Sequence, residues 1–143
     1  MTYKKQPQEL GLQATMISLD TNVVLRFLLD DVPDQADKAT KLIETQKVYV
    51  TDIILVEVIY VLEKTYELSR RDICELVLDF LNFSNVVHNP RFLLETVALY
   101  KDHTALSIVD CYACEEARSF NNELLTFDKC LVNQGGSHVK TLR

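Results

Sequence analysis

The chain has 143 residues, of which 48% are apolar and 25% charged, with a formal net charge of −6. That length suits one domain around one core, and the acidic balance argues against a generic nucleic-acid coat, which is basic overall. No apolar run approaches the ~20 residues of a membrane span, and the N-terminus lacks the apolar stretch of a signal peptide. The protein is therefore expected in the cytoplasm, away from membranes, with its cysteines reduced.

Residues 1–15, MTYKKQPQELGLQAT, are polar and aperiodic and read as a flexible N-terminal extension, leaving residues 16–143 as the folded domain. Met16, where the patterned sequence begins, is an alternative start. A short strand over 15–20 runs into a helix over 22–30. Pro33 suits the first turn of a second helix, and Ala36, Ala39, Leu42 and Ile43 carry its amphipathic spacing over 33–46. Val48–Thr51 reads as a strand, followed by helices over 52–66 and 70–83, with Asp52 and Ser69 as caps. Val86–His88 is a third strand, and a helix over 91–102 turns Phe92, Leu93, Val97 and Leu99 inward. Ser107 opens a helix to about residue 120, Glu123–Phe127 is a strand, a helical turn covers 129–133, and Ser137–Leu142 is a last edge strand. Short apolar strands alternating with helices predict a three-layer α/β/α fold with a central, mostly parallel sheet of about five strands. The carboxyl ends of its strands then share one edge, where ligands of open α/β sheets bind.

Four acidic residues stand at telling places. Asp20 and Asp128 follow strands directly, at positions that also suit an N-cap; Asn22 offers itself as an alternative cap, which would free Asp20. Glu57 lies in Ile53–Leu62, a segment apolar on every side, which predicts a buried helix and hence a carboxylate that is paired or metal-bound. A structural ion pair, with Arg26 or with a base on another helix, is the competing role. Ser107-Ile108-Val109-Asp110 has the form of a capping box, so Asp110 is both a cap and a candidate ligand. Thr126, two residues before Asp128, can donate its hydroxyl to a carboxylate or a water. Glu63 reads as an ordinary position, and Glu115 and Glu116 read as solvated ones. Cys111 and Cys114 have CxxC spacing without a second pair and read as core thiols; Cys74, Cys130 and the three histidines show no ligand spacing. Arg26, Lys64, Arg70, Arg71, Arg118 and Lys129 are candidates for a phosphate path.

Carboxylates about 6 Å apart repel by roughly 3 kcal/mol per pair at an effective dielectric near 20, so a converging quartet needs a cation. Oxygen ligands without Cys or His select Mg²⁺ or Mn²⁺, and such an ion with bound water is the equipment for phosphodiester hydrolysis. The expectation is that Asp20, Glu57, Asp110 and Asp128 lie within about 10 Å of one solvent-open point, with the strands ending in Asp20 and Asp128 as neighbours.

Leu19-Asp20-Thr21-Asn22-Val23-Val24-Leu25-Arg26, then Glu57 in an apolar helix, then Asp110, then Leu125-Thr126-Phe127-Asp128, resembles the PIN domain over Met16–Leu142, with the VapC-type toxins as the nearest subgroup. The resemblance implies a Mg²⁺- or Mn²⁺-dependent endoribonuclease with Asp20, Glu57, Asp110 and Asp128 as the acidic quartet and Asn22 and Thr126 in support. It also implies a homodimer held inactive by a small antitoxin protein, with RNA as substrate. The alternatives are a PIN-like nuclease of RNA processing or repair without an antitoxin, and a catalytically inactive PIN-like binding module. A phosphatase-like hydrolase of doubly wound fold would need a second Asp where Asn22 stands.

Overall fold

The computed structural model describes residues 15–143. All but Thr15 of the expected N-terminal extension lies outside these. In chain order the elements are β1 (Ile17–Ser18), α1 (Thr21–Leu29), α2 (Pro33–Thr45), β2 (Val48–Val50), α3 (Asp52–Lys64), α4 (Arg70–Leu81), β3 (Val86–His88), α5 (Leu93–Asp102), α6 (Ile108–Ser119), β4 (Leu124–Thr126), α7 (Lys129–Gln134) and β5 (Val139–Thr141). Every strand pairing is parallel. The alternation of helices with parallel strands is the three-layer α/β/α architecture read from the sequence. Among the described residues, no helix is long and apolar enough to cross a membrane.

Hydrogen bonding divides the five strands into a three-stranded sheet, β1-β2-β3, and a two-stranded sheet, β4-β5. The expected ladder between the strands that precede Asp20 and Asp128 is therefore absent among the described residues: β1 pairs with β2 and β4 with β5. The strands are only two or three residues long, so each supplies few ladder bonds. The register nevertheless aligns the carboxyl ends within each sheet. Ile17 faces Val48 and Val50 faces His88, so Asp20, Thr51 and Asn89 emerge at one edge.

Local chemistry sets the helix boundaries. Asp30, in the left-handed region at φ 50°, ends α1, and its N–H bonds the Arg26 carbonyl. Pro33 starts α2. The last carbonyls of α2 are met from a distance, because Asn85 Nδ2 donates to Ile43 O and Glu44 O. Ser69 caps α4 as expected, but α3 is capped by Thr51, not Asp52. One core cluster joins both sheets and all layers, from Val24, Ile43 and Val50 to Leu62, Phe80, Tyr100, Cys111, Leu131 and Val139.

Two acidic positions differ from the sequence reading. Glu115 is buried and paired with Arg118 at 3.2 Å. Glu63 forms a partly buried pair with Arg70 at 3.4 Å, whose guanidinium also lies 4.0 Å over the Tyr100 ring. Of the six basic candidates for a phosphate path, Arg26, Arg70 and Arg118 are paired with partly or fully buried carboxylates of the fold, whereas the Arg71–Glu75 pair joins two solvated side chains.

Cys111 and Cys114 are fully buried, as their apolar neighbours suggested. Burial pushes the Cys111 thiol up to about 12 and the Cys114 thiol up to about 11, from an ordinary 9.0. Both resist ionisation in the fold but ionise freely in the unfolded chain. Their contribution is complete below the unfolded value and is lost as pH rises towards the folded values. Thermal melts are therefore expected to show stability falling from about pH 9 upward, more steeply than in a Cys111→Ala/Cys114→Ala variant. Parallel pH profiles of the two proteins would exclude the thiols as the cause.

Candidate functional site

Asp20 is the N-cap of α1: its Oδ1 accepts from Val23 N at 3.0 Å. The alternative cap, Asn22, makes no side-chain hydrogen bond among the described residues. The next residue, Thr21, donates its hydroxyl to Glu57 Oε2 at 2.6 Å, across 36 positions of sequence. This bond brings the first turn of α1 to the middle of α3 and sets Glu57 beside the residue that follows Asp20.

The burial expected for Glu57 is not found. Glu57 is exposed, on a face of α3 that also shows Ile53 (76% exposed) and Tyr60 (53%) to solvent. The helix is apolar all round in composition, yet only Leu55, Val58, Ile59 and Leu62 are buried. The ion pair considered with Arg26 is also absent: Arg26 Nη1 pairs with Asp31 at 3.0 Å and Nη2 donates to Tyr66 OH at 2.9 Å.

Asp110 completes the capping box of α6. Ser107 Oγ accepts from Asp110 N, and Asp110 Oδ2 accepts from Ser107 N, both at 3.1 Å. Asp128 caps α7, its Oδ1 accepting from Cys130 N at 2.8 Å and Leu131 N at 3.3 Å. Thr126 Oγ1 accepts from Asp128 N at 3.0 Å and so fixes the turn that presents this carboxylate, rather than donating to it.

Two groups of bonds that sequence reasoning missed hold α6 between the sheets. Tyr112, two residues beyond Asp110, donates its hydroxyl to Asp52 Oδ2 at 2.7 Å, and Asn89 Nδ2 donates to the same oxygen at 3.1 Å. Burial, together with the hydrogen bond to Asp52 and the nearby Glu116, raises the Tyr112 pKa and keeps the hydroxyl a donor. At the other end of α6, Arg118 Nη2 donates to Gly135 O at 3.3 Å and the His138 ring bonds Cys114 O at 2.8 Å. The first half of α6 is thus tied to α3 and β3, and the second half to the α7–β5 turn. Pairs 17 to 60 positions apart leave no local sequence signal.

Asp20, Glu57 and Asp128 are exposed and Asp110 is half-buried. None of the four is in an ion pair among the described residues. Asp20, Asp110 and Asp128 each use one oxygen for a cap and leave the other without a partner there. Among the described residues, no three acidic, His or Cys side chains gather into a set that could hold a metal ion. Beside Asp20, a cavity of about 380 Å³ opens between α1 and α2.

The family model described as PIN domain matches residues 17–134, from β1 to the end of α7. The chain belongs to the PIN domain family. Among curated proteins, it is 29% identical over 119 residues to a VapC ribonuclease of Aquifex aeolicus (strain VF5), covering 78% of this chain and 86% of that protein. In this PIN domain, the edge where Thr51 and Asn89 emerge carries Asp20, the N-termini of α6 and α7 carry Asp110 and Asp128, and Glu57 stands in the middle of α3.

The caps of the PIN domain separate charge from structure. Asn caps about as well as Asp, whereas Ala forfeits ~1 kcal/mol. Asp20→Asn and Asp128→Asn are therefore expected to melt within about 0.5 kcal/mol of the parent, and Asp20→Ala and Asp128→Ala about 1 kcal/mol lower. Glu57→Gln, at an exposed position without a basic partner, is expected to stay within about 0.5 kcal/mol of the parent. Chemical denaturation measures all five, and a large loss in Glu57→Gln would restore a structural role for that carboxylate.

Proposed function

We propose that the protein is a metal-dependent endoribonuclease, the toxin of a toxin–antitoxin pair, with Asp20, Glu57, Asp110 and Asp128 as its acidic site and Asn22 and Thr126 in support. The observation that carries the reading is that three aspartates at helix N-termini each spend one oxygen on the backbone and, among the described residues, keep the other uncommitted with no basic side chain paired to it. A fold that needed only caps could use Ser or Asn in place of Asp20 and Asp128. The VapC ribonuclease match over most of both chains supports the ribonuclease class and, through it, an antitoxin partner.

The donor set fits Mg²⁺ or Mn²⁺. It is all oxygen, and Mg²⁺ takes one or two carboxylates and keeps several waters, so it does not need three carboxylates already closed around it. When bound, the ion would supply an activated water and neutralise charge on the phosphate. Asp20 and Asp128 would hold the ion through their uncapped oxygens, with Asp110 and Glu57 close by. The Thr21 hydroxyl orients Glu57 Oε2 and leaves Oε1 to accept a proton or a water. The Thr126 bond keeps Asp128 turned outward. Lys129, beside Asp128 and without an ion pair among the described residues, is placed to meet phosphate. Ile53, Tyr60 and Phe127 (77% exposed), on the elements that carry Glu57 and Asp128, offer apolar surface to a second copy or to an antitoxin.

Purified protein is expected to cleave total RNA only with Mg²⁺ or Mn²⁺, and Asp20→Asn to lose that cleavage while keeping its fold. Metal-independent cleavage, or full activity in the folded Asn variant, would refute the site. The same metals are expected to raise the melting temperature, by the equivalent of about 2.7 kcal/mol at a hundredfold excess over Kd. An unchanged melt of antitoxin-free protein at millimolar Mn²⁺ would count against binding.

A further inference from the structure

Resting on the nuclease reading above, we propose that the cavity between α1 and α2 is a subsite for an unpaired nucleobase of the RNA, next to the scissile phosphate. Its volume of about 380 Å³ lies in the range of pockets that enclose small organic groups. Asp20 stands in its wall, so whatever fills it lies against the proposed metal site.

The lining has the chemistry of base recognition. Val23, Ala39 and Leu42 supply an apolar wall for the face of a ring. Asn22 and Gln35 bring carboxamides to the same space, and neither makes a side-chain hydrogen bond among the described residues. Carboxamides pair a donor with an acceptor and read base edges in that way, and sequence-specific RNA recognition targets bases splayed out of single strands. Lys38 stands at the rim. Its pairing with Asp34 at 3.4 Å joins two largely solvated side chains and is readily exchanged for a phosphate. Arg26, held by Asp31 and Tyr66, serves as fixed wall.

The test has two arms and uses the full chain. In the first, cleavage of oligoribonucleotides that differ only at the positions flanking the cut is compared for the parent, Gln35→Ala, Lys38→Ala and Lys41→Ala, an exposed control on α2 outside the cavity. Gln35→Ala is expected to lose about 10- to 100-fold in discrimination at one flanking position. Lys38→Ala is expected to lower kcat/KM on all sequences and weaken its salt dependence, and Lys41→Ala to match the parent. In the second, a short single-stranded RNA is titrated into isotope-labelled protein in EDTA, where the side-chain amide resonances of Asn22 and Gln35 are expected to shift. Unaltered preference in Gln35→Ala, or RNA-induced shifts confined to other surfaces, overturns the subsite. If the parent cleaves no RNA with any metal, the nuclease reading has failed, and the titration alone decides the cavity.

Discussion

The placement of the site depends on one carboxylate that does no chemistry. Asp52, the first residue of α3, accepts hydrogen bonds from Asn89 at the end of β3 and from Tyr112 on α6. Its other oxygen is buried without a partner. An unmet buried oxygen costs about 1–3 kcal/mol, so the two bonds that Asp52 does make are needed to hold it there. Through them, the helix that bears Glu57, the edge of the three-stranded sheet and the helix that bears Asp110 form one joint. The bonds of Arg118 and His138 to the α7–β5 region extend that joint to the element capped by Asp128. Two small sheets without a shared ladder are in this way held by side chains on one helix.

The proposed metal role of the acidic residues is compatible with their capping role. A helix N-terminus presents unpaired N–H groups and a partial positive charge, which stabilise a carboxylate. A carboxylate has more acceptor sites than a cap uses. Asp20, Asp110 and Asp128 are therefore tolerated at helix N-termini without basic partners among the described residues, each with one oxygen not used by the cap. Capping also restricts their rotamers.

The order and type of every element were legible in the sequence, because three-four spacing, short apolar runs and Pro or Ser at helix starts are local signals. The capping box at Ser107 and Asp110 could be read directly for the same reason. What was not legible was non-local. Strand-to-strand neighbourhood depends on ladder bonds that two- and three-residue strands barely form, so the split into two sheets left no mark. Glu57 was misread as buried because an all-apolar segment was equated with an all-buried helix, whereas Ile53 and Tyr60 face outward with it. Asp52 looked like a cap, since its true partner, Tyr112, lies 60 positions away. Glu63 looked ordinary and Glu115 solvated because their pairing with Arg70 and Arg118 is set by packing. The acidic quartet itself stood out through its positions at strand ends and helix starts, and through the resemblance to the PIN domain.

The claim at the centre of this account is that carboxylates from separate elements serve one metal ion. Anomalous X-ray scattering from a crystal soaked in Mn²⁺ tests it most directly. The account predicts a manganese peak about 2.0–2.3 Å from uncapped oxygens of at least two of Asp20, Asp110 and Asp128, bridging the strand β1 edge and the helix N-termini. A saturated crystal with no peak there, or with manganese only at unrelated surface carboxylates, would contradict it.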